Sequence, residues 1–115
     1  MGPGAQTPEE LDALLEDAVV LRDARAVAEL FEEGGLLAVG AAAPARGGAR
    51  IARSAAAIWD GRSYVSEPRR VLQGRDTALV VAARALHVTR RSGGGWRLAV
   101  SLVHAGPPHT WEEGT

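Results

Sequence analysis

The sequence predicts one small α+β domain in which three N-terminal helices pack on an antiparallel sheet. Three observations carry that expectation. Apolar residues recur at helical spacing as far as Trp59, and the texture turns to strand from Ser63 onward. Helices come first and strands after, without the alternation that a parallel sheet needs. Turn-forming clusters punctuate the second half, as antiparallel strands in sequence require.

Residues 1–6 are expected to be a disordered N-terminus, residues 7–106 the folded domain and residues 107–115 a tail. In Thr7-Pro8-Glu9-Glu10 the threonine can cap, the proline suits the first helical position and Glu10 completes a capping box. Leu11, Leu14, Leu15, Ala18 and Val19 follow at helical spacing, with Asp12 and Glu16 expected on the other side. Asp23 caps a second helix whose Ala24, Val27, Ala28 and Phe31 share a face, and Gly34-Gly35 stops it. Leu36 to Val39 reads as a short strand and Gly40 to Gly48 as a loop. A third helix is expected from Ala49 to Trp59, with Ile51, Ala55, Ile58 and Trp59 inward. Ser63–Leu72, Thr77–Thr89 and Trp96–Ala105 then form a three-strand meander around the turns at residues 73–76 and 91–95.

Composition narrows the function classes. A length of 115 residues with 46% hydrophobic content supports one core without staples. Cysteine is absent, so disulfides and thiolate zinc sites are impossible, and a cytoplasmic setting is expected. The net charge of −1 and basic runs no longer than Arg69-Arg70 and Arg90-Arg91 weigh against nucleic acid as a partner. No apolar run reaches the roughly 18 residues that cross a bilayer, so no membrane partner is expected. All 13 basic residues are arginine, and with abundant alanine and glycine this suggests GC-rich bacterial coding. Three histidines without ligand spacing imply neither a metal nor a cofactor.

Arg22-Asp23 through Leu30-Phe31, Arg46-Gly47 with Ile51, Asp76 to Val80, and Gly95-Trp96-Arg97-Leu98 follow one another in order over residues 8–105. As an ordered set they resemble the SnoaL-like/NTF2-like superfamily, which includes ketosteroid isomerases, polyketide cyclases and limonene-epoxide hydrolases. The resemblance implies a cone: a curved sheet wrapped around helices, with a pocket inside, commonly in dimers. The positions resembling the isomerase general base and oxyanion tyrosine are Val39 and Leu15. Neither side chain can exchange a proton, so steroid-type isomerisation is not expected. The position resembling a second oxyanion acid falls at Leu86 or His87.

Period-two reading places Trp96, Leu98, Val100, Leu102 and His104 on one face of the last strand. If residues 90 and 96 pair, Val80, Ala82, Arg84, Leu86 and Val88 join them inside the cone, and a bulge in the glycine-rich turn would put His87 inside instead. The opposite face, with Leu79, Val81, Ala83, Ala85, His87, Thr89, Ala99, Ser101 and Val103, is then apolar enough to be a homodimer interface. Arg84 reads either as a structural ion pair with Glu67 or as the group orienting an anionic or carbonyl ligand. His104 reads either as a half-buried structural histidine or as a proton shuttle. Trp59, Tyr64, Trp96, Leu15 and Val39 would line the pocket or fill the core. The expectation is a small-molecule-pocket protein acting on a hydrophobic carbonyl or polyketide-like compound as a cyclase, isomerase or hydrolase. The alternative is a non-catalytic dimeric module that binds a ligand or a protein.

Overall fold

The computed structural model describes residues 5–40, 43–55, 68–82 and 85–104. Arg84, Trp59 and Tyr64, together with Ile58, Glu67 and His109, lie outside the described residues.

Helix α1 (Pro8–Val20) begins as its sequence prescribes: the Thr7 hydroxyl accepts the Glu10 N–H at 3.0 Å, and the Glu10 carboxylate accepts the Gln6 N–H at 2.6 Å. Past the C-cap Leu21 the chain leaves α1 through Arg22, whose φ of 55° is the left-handed conformation that glycine usually supplies there. Asp23 caps α2 (Ala24–Glu29) by accepting the Ala26 N–H at 3.0 Å. Phe31, expected to close that helix, instead opens strand β1 (Phe31–Val39). Gly34 and Gly35, expected as a helix stop, lie inside β1 where its register to the neighbouring strand shifts. The loop that follows contains a two-residue strand, β2 (Ala45–Arg46), and α3 (Gly48–Ala55) buries Ile51 and Ala55. Ala5, expected in a disordered N-terminus, is buried and bridges to Trp96, whose N–H donates to its carbonyl at 2.9 Å.

The C-terminal half holds four strands where three were expected: β3 (Pro68–Gln73), β4 (Thr77–Ala82), β5 (Ala85–Ser92) and β6 (Gly95–Val103). The apolar run from Thr77 to Thr89 is a hairpin, because Val81 pairs with Leu86 and Thr77 with Arg90 across antiparallel strands. The sheet order is β2-β1-β6-β5-β4-β3, with β1 and β6 parallel, so the sheet is mixed rather than wholly antiparallel.

Register decides which side chains enter the core, and here the expectation is corrected. Ser92 pairs with Gly95 around the two-residue turn Gly93-Gly94, so Arg91, not Arg90, faces Trp96. That one-residue difference moves every side chain of β5 to the opposite face. Ala85, His87 and Thr89 are buried, while Leu86 and Val88 are only partly covered. A second shift falls between Val88 and Thr89, which pair with Val100 and Leu98 and leave Ala99 as the extra residue. Beyond this bulge Ser101 and Val103 point inward with Trp96 and Leu98, and Val100 and Leu102 point outward.

The core gathers Leu11, Leu15, Val19, Val27, Phe31, Leu37, Ile51, Trp96 and Leu98 between the helices and the inner sheet face. On the outer face two rows of aliphatic side chains cross five strands. One runs Leu72, Leu79, Val88, Val100, Leu36, and the other Val81, Leu86, Leu102, Ala38 beyond Arg70. Leu72 is 48% exposed and Leu102 44% exposed.

Candidate functional site

Four buried polar side chains converge in one part of this core: Asp12 at 1% exposure, His87 at 0%, Ser101 at 0% and Thr89 at 1%. Asp12 comes from α1, where it lies three residues before Leu15 and seven before Val19, along the stripe that packs on the sheet. His87 and Ser101 are cross-strand partners on β5 and β6. Thr89, next inward on β5, donates its hydroxyl proton to the Ala78 carbonyl at 3.1 Å.

The other three residues form a chain. The His87 Nε2 lies 3.2 Å from the Asp12 Oδ1, and the His87 Nδ1 lies 2.8 Å from the Ser101 Oγ. With Asp12 as a carboxylate, which only accepts hydrogen bonds, the 3.2 Å contact assigns the ring proton to Nε2 as donor. In the neutral ring Nδ1 is then the free-lone-pair nitrogen and accepts from the Ser101 hydroxyl. Desolvation of a carboxylate and an imidazole at this depth is costly unless each is paired, and the mutual contacts supply that pairing.

Such a chain is chemically able to relay protons: a carboxylate beside the ring fixes its tautomer and would stabilise a second ring proton, and a hydroxyl at Nδ1 can hand a proton to it. Acyl transfer through Ser101 suits the geometry less well. Ser101 sits mid-sheet between β1 and β5, where neighbouring backbone N–H groups are committed to the strand ladders instead of an oxyanion.

Among the described residues the fully buried histidine is His87, the outcome expected for the alternative register and not for the one that places His87 and Ser101 on the outer face. His104 is half-buried just past the end of β6, and the alternation that put it inside is broken at Ala99. Leu15, Val39 and Trp96 all belong to the contiguous core, and the Arg91 guanidinium lies 5.8 Å from the Trp96 ring centroid. Leu102 is outside the cone. The helical spacing of Asp12 to Leu15 and Val19 was the available signal for the acidic member, while nothing local in Val100-Ser101-Leu102 marked the serine as inward.

No family model matches the sequence, and no curated protein matches it. Solved structures do. A candidate calcium/calmodulin-dependent protein kinase type II association domain from Thiobacillus denitrificans superposes with a TM-score of 0.75 at 19% identity, covering 95% of this chain and 100% of that one. An NTF2-like protein with a cystatin-like fold from Novosphingobium aromaticivorans gives 0.68 at 28% identity, over 84% of this chain and 77% of the other. This chain has the NTF2-like fold. A ketosteroid isomerase-like protein from Erwinia carotovora atroseptica shares the NTF2-like core at a TM-score of 0.73 and 20% identity, over 86% and 94% of the two chains. Among the described residues, no helix of this NTF2-like chain is long and apolar enough to cross a membrane.

Proposed function

We propose that this NTF2-like protein binds a small hydrophobic molecule carrying a carbonyl or hydroxyl group and transfers a proton on it through Asp12, His87 and Ser101. The observation that carries the reading is the fully buried carboxylate–imidazole–hydroxyl chain, 3.2 and 2.8 Å between members, in the interior of the sheet. In this reaction class His87 Nδ1 takes a proton as base and returns it as acid, so enolisation, cyclisation, hydration or dehydration fit. The likeness to a protein called ketosteroid isomerase-like supports small-molecule chemistry in general. Val39 and Leu15 stand where that chemistry would need its base and tyrosine, so the buried chain takes over the proton-transfer role. A cysteine-free composition supports a cytoplasmic setting.

The probe for the test is 2-naphthol, an apolar ring with one hydroxyl whose fluorescence reports its ionisation. Saturable binding is expected, weakened at least tenfold (about 1.4 kcal/mol) in His87→Gln and Ser101→Ala while far-UV circular dichroism stays unchanged. His104→Gln run in parallel separates the two histidines. Absence of saturable binding, or equal binding by the His87 variant, overturns the proton-transfer reading. The second reading, a non-catalytic dimeric binding module, is supported by the aliphatic outer face and by the likeness to a candidate association domain. Binding that ignores His87 favours it.

A further inference from the structure

We infer that the buried chain selects its ligand by hydrogen-bond polarity, with Ser101 as the member that touches it. The ligand group it takes is a donor, the O–H of an enol, phenol or alcohol, in preference to a carbonyl or ether oxygen. This inference rests on the small-molecule reading of the site and narrows its substrate class.

The polarity follows from the donors and acceptors along the chain. With Asp12 as a carboxylate, the 3.2 Å contact makes Nε2 the donor and leaves Nδ1 with its lone pair. The 2.8 Å contact between Nδ1 and the Ser101 Oγ then takes the single proton that a serine hydroxyl has. Both ring nitrogens are engaged, so a ligand meets the serine oxygen and not the imidazole. That oxygen keeps acceptor capacity and has no proton left to give. Among the described residues, His87 is the one hydrogen-bond partner of the Ser101 side chain.

The surroundings strengthen the preference. Ser101 is fully buried, opposite Leu37 on β1, and the next inward residues along β6 are Leu98 and Val103. None of these side chains can donate a hydrogen bond. In such a setting a bond to the serine oxygen gains strength, and repulsion from a second acceptor is poorly screened. A hydroxyl ligand fills the open acceptor position, whereas a carbonyl or ether of similar shape sets lone pair against lone pair.

Proton transfer inverts this polarity. The ligand O–H bond breaks as its proton moves to the Ser101 Oγ, and the proton formerly on Ser101 moves to Nδ1, where an N–H bond forms. The products are a ligand oxyanion, a neutral serine hydroxyl and an imidazolium between Asp12 and Ser101. Nδ1–H then donates to the serine oxygen, which turns the hydroxyl proton toward the oxyanion. The same side chains thus accept from the neutral ligand and donate to its anion, and the reverse step returns both protons.

The polarity is read first from the protein alone. In ¹⁵N-histidine-labelled protein at neutral pH, the His87 resonances are assigned by their loss in His87→Gln. They are expected to show a protonated Nε2 and an unprotonated Nδ1, and a proton on Nδ1 overturns the inference. Selection is read by calorimetry with 2-naphthol, 2-methoxynaphthalene and 2-acetylnaphthalene, which share the ring and differ in the polar group. Wild-type protein is expected to bind 2-naphthol at least about tenfold more tightly than either of the others. In Ser101→Ala with a native far-UV spectrum, that preference is expected to fall below about twofold. Equal binding of all three by the wild type overturns the polarity while a small-molecule site still stands. A preference that survives in Ser101→Ala also overturns it, because another group then reads the hydroxyl. Saturable binding of none of the three overturns the proposed function, and the selection with it.

Discussion

Replacing Asp12 and His87 with leucine, singly and together, measures how tightly the buried chain is coupled. Each single change removes one side of a 3.2 Å contact between groups at 0–1% exposure and leaves the other in the core. Breaking a buried pair in this way costs about 3–5 kcal/mol. A domain of 115 residues has a total stability of about 6–17 kcal/mol at 0.05–0.15 per residue, so the single variants are expected to fold but to melt far lower. At about 4 °C per kcal/mol the loss in Tm is about 12–20 °C. The double variant removes both members of the contact at once, so the loss of that contact is counted once and not twice. Its cost is expected to fall short of the summed singles by about 2–3 kcal/mol. Urea unfolding followed by tryptophan fluorescence reads all four proteins, with the buried Trp96 among the reporters. Additivity of the two changes within about 0.5 kcal/mol would refute the coupling, because independent sites behave that way.

Three further outcomes are expected. Gly35→Ala places a Cβ 3.0 Å from the Glu32 carbonyl oxygen and 3.1 Å from Phe31 atoms, and destabilises by about 1–3 kcal/mol in urea melts. Arg22→Gly relieves a left-handed arginine at φ 55° and is expected to raise Tm, with a gain of about 0.5–1 kcal/mol; an unchanged or lower Tm contradicts that strain. Thr7→Ala deletes the hydroxyl that accepts the Glu10 N–H and costs about 1 kcal/mol, visible as reduced protection of the first α1 amides in hydrogen exchange.

Much of the fold was legible because its signals are local. Thr7 to Glu10 starts α1, Asp23 starts α2, and Ile51 and Ala55 mark the buried side of α3. The ordered segments from Arg22 to Leu98 carried the NTF2-like resemblance where no family model matched. The site was far less legible, for geometric reasons. The chain reverses between Ala82 and Ala85 within a run that has no glycine, proline, asparagine or aspartate to announce a turn. The pairing of Arg91 with Trp96 instead of Arg90 depends on how many glycines of Gly93-Gly94-Gly95 form the turn, and that count assigns His87 to the core. Ala99 resembles its neighbours in composition, yet its extra position sends Ser101 inward and Leu102 out. Asp12, expected on the side away from the apolar stripe, is buried with it, because its spacing of three to Leu15 and seven to Val19 lies at the edge of that stripe.

The parallel pairing of β1 with β6 also bears on how the chain is made. Val39 ends β1 and Gly95 begins β6, so 56 residue positions separate a strand from the neighbour that flanks it. At a synthesis rate of roughly 5–20 residues per second, β1 waits roughly 3–11 s on the ribosome before that partner emerges. Through that interval the apolar stripe of α1 lacks the strands β3 to β6 that complete the sheet it packs on. The sheet can therefore close beside β1 only after β6, the last strand, has been made.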